Sequence, residues 1–314
     1  MDWCWLGSNR FTAPFFDNTI DQAQLSPFNS LFTHRTPIAE LGAWCAASPG
    51  LAPAGFIFHM SRCGSTLVTQ MLASLPQNLV ISEASPLDRL ARASSIPAEA
   101  RAAWLPWMIS ALGQRRSGQE TRYFIKFDSP TTLALPLIRR VFPSVPWIFL
   151  YRDPEEVLVS QLREPAAAML PGIITDIRII DAPMAEILSM TVMESAARAI
   201  GRICECARLA VDEPGMLVNY AALPGAVSGA IAEHFGLTLS QDDLDQMHLA
   251  SLHNAKRPRQ RFEADGQSKR LEASQAVREA ARRWITPHYD ELERIRQKRR
   301  SPVPESPAMS TERN

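Results

Sequence analysis

The chain has no apolar run approaching the roughly 18–20 residues of a membrane-spanning helix, which argues against a helical span. It has no charge excess. Its 33 Lys and Arg balance 33 Asp and Glu, so nothing points to general binding of nucleic acid or of an anionic membrane surface. Cysteine is scarce: five residues, an odd and scattered set, argue against a disulfide framework and for a reducing compartment. Cys204 and Cys206 lack a second ligand pair nearby, and a metal site normally needs about four ligands, so both are expected to pack within a helix and no metal is expected. No internal repeat is apparent. The segment MDWCWLGSNR carries an acid and no basic region ahead of an apolar stretch, so it does not read as a secretory signal. A cytoplasmic location is the resulting expectation.

What is present is a core. The chain has 314 residues, 46% of them hydrophobic, enough for one large α/β domain or two small ones. The most informative stretch is GFIFHMSRCGSTLVTQM, Gly55 to Met71. Phe56-Ile57-Phe58 has the length and character of a buried strand, and Leu67, Val68, Met71, Leu72 and Leu75 recur at helical spacing. Between them, Ser61-Arg62-Cys63-Gly64 turns the chain into Ser65 and Thr66. A strand, a small-residue turn and a helix start aim backbone N–H groups and the positive end of a helix dipole at one point, where a phosphate or sulfate fits. Arg62 adds a permanent charge, and Ser65 and Thr66 add hydroxyl donors. The turn is not a Walker A loop, because no Lys follows its glycine. An ordinary strand–helix connection is the plain alternative on this stretch alone.

A second stretch repeats the design. In VPWIFLYRDPEEVLVSQL, Val145 to Tyr151 is apolar, Asp153-Pro154 opens a helix, and Val157 and Leu158 begin its buried face. Arg152 stands at the strand end and Ser160 two turns into the helix. The pair SRCGST and YRDPEEVLVS, in this order and about ninety residues apart, resembles the two nucleotide-binding motifs of the sulfotransferase family. The resemblance covers roughly residues 55 to 290. It implies a P-loop-type α/β fold and 3′-phosphoadenosine 5′-phosphosulfate as donor co-substrate. It also implies sulfuryl transfer to a hydroxyl or amine of a small-molecule acceptor. Arg62, Cys63, Gly64, Ser65 and Thr66 would then hold the 5′-phosphosulfate, with Cys63 serving through its backbone. Arg152 and Ser160 would hold the 3′-phosphate, and Tyr220 in VNYAAL would pack on the adenine. Where the family often has acidic residues after that tyrosine, this chain has Ala221 and Ala222.

The chemistry is less settled by the residues. Sulfuryl transfer is mainly positioning and charge stabilisation, and Arg62 is placed for charge growing on the leaving phosphate. The acceptor must lose a proton. Where many members carry Lys-Thr-His, this chain has Lys126-Phe127-Asp128, so the histidine is missing. Asp128 is one candidate base, and a helix cap is its plain alternative. Glu83, at the end of the Leu79-Val80-Ile81 strand, is the other; a strand-end ion pair is its plain alternative. Beside an apolar pocket Glu83 is expected to have a raised pKa, and Asp128, as a helix cap, a lowered one. That favours Glu83 as base. Lys126 is a candidate for orienting the transferring group, and His59 is expected to pack beneath the loop. A nucleotide-dependent kinase and a non-catalytic nucleotide-binding module are the rival functions.

Strands alternating with helices predict an α/β fold, a central, mainly parallel sheet with helices on both faces. Residues 1–50 read as an extension packed on the core, residues 51–300 as the domain, and 301–314 as a disordered tail. Within the extension, RFTAPFFDNTI reads as extended and Ile38–Ala46 as a short helix. Pro106 is expected to break a helix over residues 97–113. Met184–Leu209 reads as one long helix, Ala226–Phe235 as another, and Leu271–Arg296 as a third interrupted at Pro287. The basic stretch 249–270 reads as a loop or as a flap over the 3′-phosphate, with Lys269 and Arg270 as candidates. Neither the acceptor nor the oligomeric state follows from the sequence.

Overall fold

The computed structural model describes residues 1–173, 179–255, 257–261 and 266–300. Five strands build its main sheet: β1 (Pro53–His59), β2 (Asn78–Ser82), β3 (Arg122–Lys126), β4 (Trp147–Tyr151) and β5 (Gly215–Asn219). They lie in the order β2-β3-β1-β4-β5 and pair in parallel throughout. A parallel sheet buried on both faces needs continuous apolar strands, and Phe56, Ile57, Phe58, Trp147, Ile148 and Phe149 are all fully buried. Phe58 stacks on Phe127 at 4.8 Å between centroids and meets Trp147 edge-on at 6.0 Å. Each such ring contributes about 1.5–3 kcal/mol by leaving water.

The principal helices from residue 65 onward are α1 (Ser65–Ala73), α2 (Ser85–Arg92), α3 (Ala98–Leu112), α4 (Leu135–Val141), α5 (Pro154–Arg163), α6 (Val192–Ala210), α7 (Gln241–Ser251), α8 (Gly266–Glu272), α9 (Gln275–Trp284) and α10 (Thr286–Arg300). The β1-to-β2 connection runs toward one sheet edge, and the three later crossovers run toward the other. Right-handed crossovers therefore put α1 on the opposite face from α2 to α6. The packing agrees: α1 lies against α7, whereas α6 lies against α4, α5, α9 and α10. β1 and β4 are neighbours whose connections leave in opposite directions. Open α/β sheets bind ligands at the carboxyl end of such a switch point.

Several elements differ from the sequence expectation. Pro106 sits inside α3 without ending it. Burial of Leu105, Met108 and Ile109 is worth about 4–9 kcal/mol against roughly 3 for an interior proline. The predicted helix Met184–Leu209 is two helices, Met184–Ser189 and α6. Thr191 splits them by accepting the Glu194 N–H with its hydroxyl, a Thr-x-x-Glu start signal that the apolar stripe concealed. The supposedly extended RFTAPFFDNTI enters a helix, Phe16–Gln24, whose Phe16, Thr19 and Ala23 are buried at helical spacing. A helix at Glu40–Ala47 follows, and Phe16 and Leu41 join the main core. The Ala226–Phe235 segment is kinked at Gly229. The C-terminal helical segment breaks at Ile285, leaving Pro287 in the first turn of α10, where its missing N–H costs nothing. Residues 249–270 end α7, pair as His253–Asn254 with Arg257–Arg261, and re-enter helix as α8. The expected tail, 301–314, lies outside the described residues.

Candidate active site

One cleft of about 430 Å³ gathers most of the predicted positions: Arg62, Cys63, Gly64, Ser65, Thr66, Glu83, Asp128, Arg152, Ser160 and Tyr220. The topology explains this. Glu83, Asp128, Arg152 and Tyr220 each follow a strand's carboxyl end by one or two residues, and the loop after β1 supplies the rest. Lys126, the last residue of β3, is fully buried just beneath.

The β1–α1 loop is held in an unusual backbone. Ser61 and Arg62 have φ of 76° and 52°, and Gly64, preceding α1, has 81°. Non-glycine residues there cost about 1–3 kcal/mol each and persist only where neighbours fix them. Here the Ser61 N–H donates to His59 Nδ1 at 3.1 Å, and Gln161 Nε2 donates to Ser61 Oγ at 2.9 Å. Gly64 is required twice. Besides its φ, a Cβ there would lie 2.8 Å from both Tyr220 and Leu223. The Cys63 thiol turns into the core toward the Leu150 carbonyl, and burial pushes its pKa up to about 12, so it is no nucleophile.

The second loop is built around a buried ion pair. Asp153 caps α5 by accepting the Glu155 and Glu156 N–H groups. Arg152 Nε donates to Glu156 Oε2 at 2.6 Å, and Arg152 lies 4.0 Å over the Tyr220 ring. Glu156 Oε1 also accepts from Arg270 Nε at 2.7 Å, and Lys269 lines the cleft, so α8 closes on α5 with both residues of the basic stretch. Tyr220 is thus wedged between Gly64 of the first loop and Arg152 of the second. Arg62 is placed differently from expectation. Its Nε donates to Ser160 Oγ at 2.9 Å and its Nη2 to Glu164 at 2.7 Å, both on the second loop's side. The cation bonded to the first loop is Lys126, whose Nζ meets Thr66 Oγ1 at 3.4 Å.

At the opposite end stand the carboxylates, and their shifts are the reverse of those expected. Glu83 has φ 53°, and its Oε1 lies 2.8 Å from Lys126 Nζ and 3.3 Å from His59 Nε2. His59 Nδ1 accepts from Ser61, which leaves its Nε2 facing Glu83. Burial alone would raise Glu83, but the Lys126 ammonium, with His59, outweighs it and holds the carboxyl well below its ordinary range. Asp128 does cap the turn at Ser129–Ala134, accepting the Ser129 N–H at 2.7 Å. Burial and the Glu83 charge nevertheless raise its pKa against the pull of Arg92, 3.2 Å away. Two residues behind this group were not anticipated. Buried Asp88 accepts the Asp128 backbone N–H at 3.1 Å, and burial together with the Asp128 charge pushes its pKa up. Arg92, one turn along α2 from Asp88, reaches Asp128. A charged pair at i, i+4 in SPLDRLAR was visible, but not its closeness to Asp128.

Among the described residues no cluster of His, Cys, Asp and Glu suited to a metal is present, and no helix is long and apolar enough to cross a membrane. Cys204 and Cys206 lie within α6.

No family model matches the chain, and no curated protein matches it. Among solved structures, it is similar to a sulfotransferase domain from the curacin biosynthetic pathway, at 15% identity over 82% of this chain and 99% of that one, with a TM-score of 0.42. It is similar to sulfotransferase STF9 from Mycobacterium avium, at 15% identity over 76% and 79%, with a TM-score of 0.43. It is also similar to retinol dehydratase solved with retinol and PAP, at 15% identity over 82% and 87%, with a TM-score of 0.36. At these scores no residue role follows from the likeness.

Proposed function

We propose that this chain transfers a sulfuryl group from 3′-phosphoadenosine 5′-phosphosulfate to a hydroxyl or amine of a small-molecule acceptor. The observation that carries this reading is a single cleft with two separate anion-holding corners and Tyr220 wedged between them. One corner has the start of α1 with Ser65, Thr66 and Lys126; the other has Arg152, Ser160, Arg62 and Lys269. A nucleotide bearing phosphate on both sides of its ribose meets both corners. A nucleoside triphosphate carries its charge in one run and leaves the second corner unmatched.

When bound, the donor supplies the sulfuryl group and retains the bisphosphate. Lys126 then stands where negative charge grows on the leaving phosphate, a role first assigned to Arg62, and it is already fixed there by Thr66 and Glu83. Arg62 is better matched to the 3′-phosphate corner through Ser160. The acceptor oxygen or nitrogen bonds to sulfur as the sulfur–phosphate oxygen bond breaks, and its proton passes to a carboxylate. A base works best when its pKa lies near the working pH. Asp128, raised by burial and by Glu83, fits that better than Glu83, which Lys126 holds ionised. Glu83 thus serves to position Lys126, and Asp128 takes the proton.

The test is to incubate the protein with 35S-labelled donor and a metabolite extract. Label moving into new products that depend on Asp128 supports the reading. Donor binding with no label transferred to any product overturns it in favour of a non-catalytic module.

A further inference from the structure

The C-terminal helix α10 does not line the cleft, yet it is bonded to the ends of the two strands that carry Arg152 and Tyr220 into it. We infer that Glu293, on α10, is a positioning residue for the nucleotide: it joins the ends of β4 and β5 and so holds Tyr220 in place against Arg152. The inference takes its ligand from the proposed sulfuryl transfer, but the hold on Tyr220 can be read without any ligand.

The Glu293 carboxylate sits at a junction. Its Oε1 accepts the Tyr151 hydroxyl at 2.6 Å and Asn219 Nδ2 at 2.7 Å. Tyr151 is the last residue of β4 and Asn219 the last of β5, and the two are register partners. The next residues along the chain are Arg152 and Tyr220, with Arg152 lying 4.0 Å over the Tyr220 ring. Asn219 passes the hold on. Its Oδ1 accepts the Ala221 N–H at 2.9 Å and caps the turn Tyr220–Ala222. Its Nδ2 serves both Glu293 and the Tyr289 hydroxyl, 3.2 Å away. With both ends of its amide engaged, Asn219 fixes the turn from which Tyr220 reaches Gly64 and Arg152.

Tyr289, Glu293 and Arg296 share one face of α10 through their spacing of four and three residues. Arg296 grips the Glu293 carboxylate with Nε at 3.2 Å and Nη2 at 2.5 Å. Burial alone would raise this carboxyl, but the bonds from Arg296, Tyr151 and Asn219 hold its pKa below the ordinary value. Further along α10, Arg299 Nη1 donates to the Gly215 carbonyl at 2.6 Å, at the start of β5. The helix therefore holds this edge strand of the main sheet at both ends. Glutamine at 293 would offer one acceptor oxygen and a donor amide instead of two acceptor oxygens. It cannot serve Tyr151, Asn219 and Arg296 together, and a buried donor left unpaired pulls away from its old position.

The test pairs two measurements. Protein labelled with 13C in its tyrosine rings should give signals from Tyr123, Tyr151, Tyr220 and Tyr289, the four tyrosines of the chain. Without nucleotide, Glu293→Gln should move the Tyr220 signal and leave that of Tyr123, buried in β3, in place. In calorimetric titration with adenosine 3′,5′-bisphosphate, Glu293→Gln should weaken binding by about tenfold in the wild-type background and by less than about twofold in Tyr220→Ala. Removing a negative charge would by itself favour an anionic ligand, so such a loss is not one of charge. Tyr151→Phe, which deletes one hydroxyl, should repeat both patterns with a loss of about threefold, and it carries the test should Glu293→Gln fail to fold. An unmoved Tyr220 signal, wild-type affinity, or an equal loss in both backgrounds overturns the inference. Failure of the bisphosphate to bind wild type overturns the proposed function instead, and leaves the Tyr220 signal to judge Glu293.

Discussion

The two ends of the cleft are built on the same sheet edge and balanced in opposite ways. At the ends of β1 and β4, each charge has a partner: Arg152 with Glu156, Glu156 with Arg270, Arg62 with Ser160 and Glu164. Such a corner is set before a ligand arrives, and it suits holding an anion. At the ends of β2 and β3, three carboxyls, Glu83, Asp88 and Asp128, crowd around Lys126 and Arg92. Three like groups with two cations cannot all ionise at their ordinary pKa, so one is held low and two are pushed up. That imbalance suits moving a proton. Backbone strain follows the site too: Ser61, Arg62 and Glu83 are the non-glycine residues with positive φ among those described, and all three line the cleft.

Substitutions at the two ends should separate turnover from binding. The largest effect is expected at Asp128. Asp128→Asn should lower kcat by about 10²–10⁴ and leave bisphosphate affinity near wild type, because the amide oxygen can still cap Ser129. Glu83→Gln should cost less. Steady-state kinetics that show Glu83→Gln inactive and Asp128→Asn near wild type would exchange the two roles.

At the other end, Arg152→Ala should weaken adenosine 3′,5′-bisphosphate by about 10²–10³-fold, since it removes the buried, preset cation proposed to meet the 3′-phosphate. Gly64→Ala tests the joint between the ends. The added methyl meets Tyr220 and Leu223 at a positive φ, so thermal melting should show a loss of about 1–3 kcal/mol together with weaker nucleotide binding. Wild-type stability would mean that Tyr220 is not fixed against the loop. Arg62→Ala should be milder, raising the KM for donor by roughly tenfold with little change in kcat, as a lost charge-assisted bond on the binding side would. A fall in kcat instead would return Arg62 to the transferring group.

The smallest effect is a difference in pH dependence. Glu83 is held low, so its contribution is present above the unfolded carboxyl range and is lost as pH falls through it; Glu83→Gln should cost more stability at pH 7 than at pH 3. Asp88 is raised, so ionisation penalises the folded state as pH climbs; Asp88→Asn should compare with wild type more favourably at pH 7 than at pH 4. Melting curves with the same sign of pH dependence for both variants would contradict the assigned charges.

The binding end was largely legible in the sequence and the chemical end was not, for a physical reason. Ser65, Thr66, Arg152 and Ser160 belong to two local strand–turn–helix units, each with its own apolar run and helix start, so their position follows from nearby residues. The sign of a pKa shift depends on neighbours from other strands. Glu83 reads as a carboxylate beside an apolar pocket until β3 pairs with β2 and brings Lys126 to it. Asp128 reads as a cap, which it is, but burial and the Glu83 charge raise its pKa. Gln161, which pins Ser61 from α5, carries no local signal either. Arg62 was identified as a cleft residue, but a loop sequence does not say which way a long side chain turns, and here it turns toward Ser160 and Glu164.

The most direct test of the two-corner cleft is calorimetric titration of the wild-type chain with adenosine 3′,5′-bisphosphate, adenosine 5′-phosphate and ATP, repeated with Arg152→Ala. The account predicts that wild type prefers the bisphosphate over both other nucleotides, and that Arg152→Ala abolishes this preference while binding adenosine 5′-phosphate as before. Equal binding of all three by wild type, or equal loss of all three in Arg152→Ala, would contradict it.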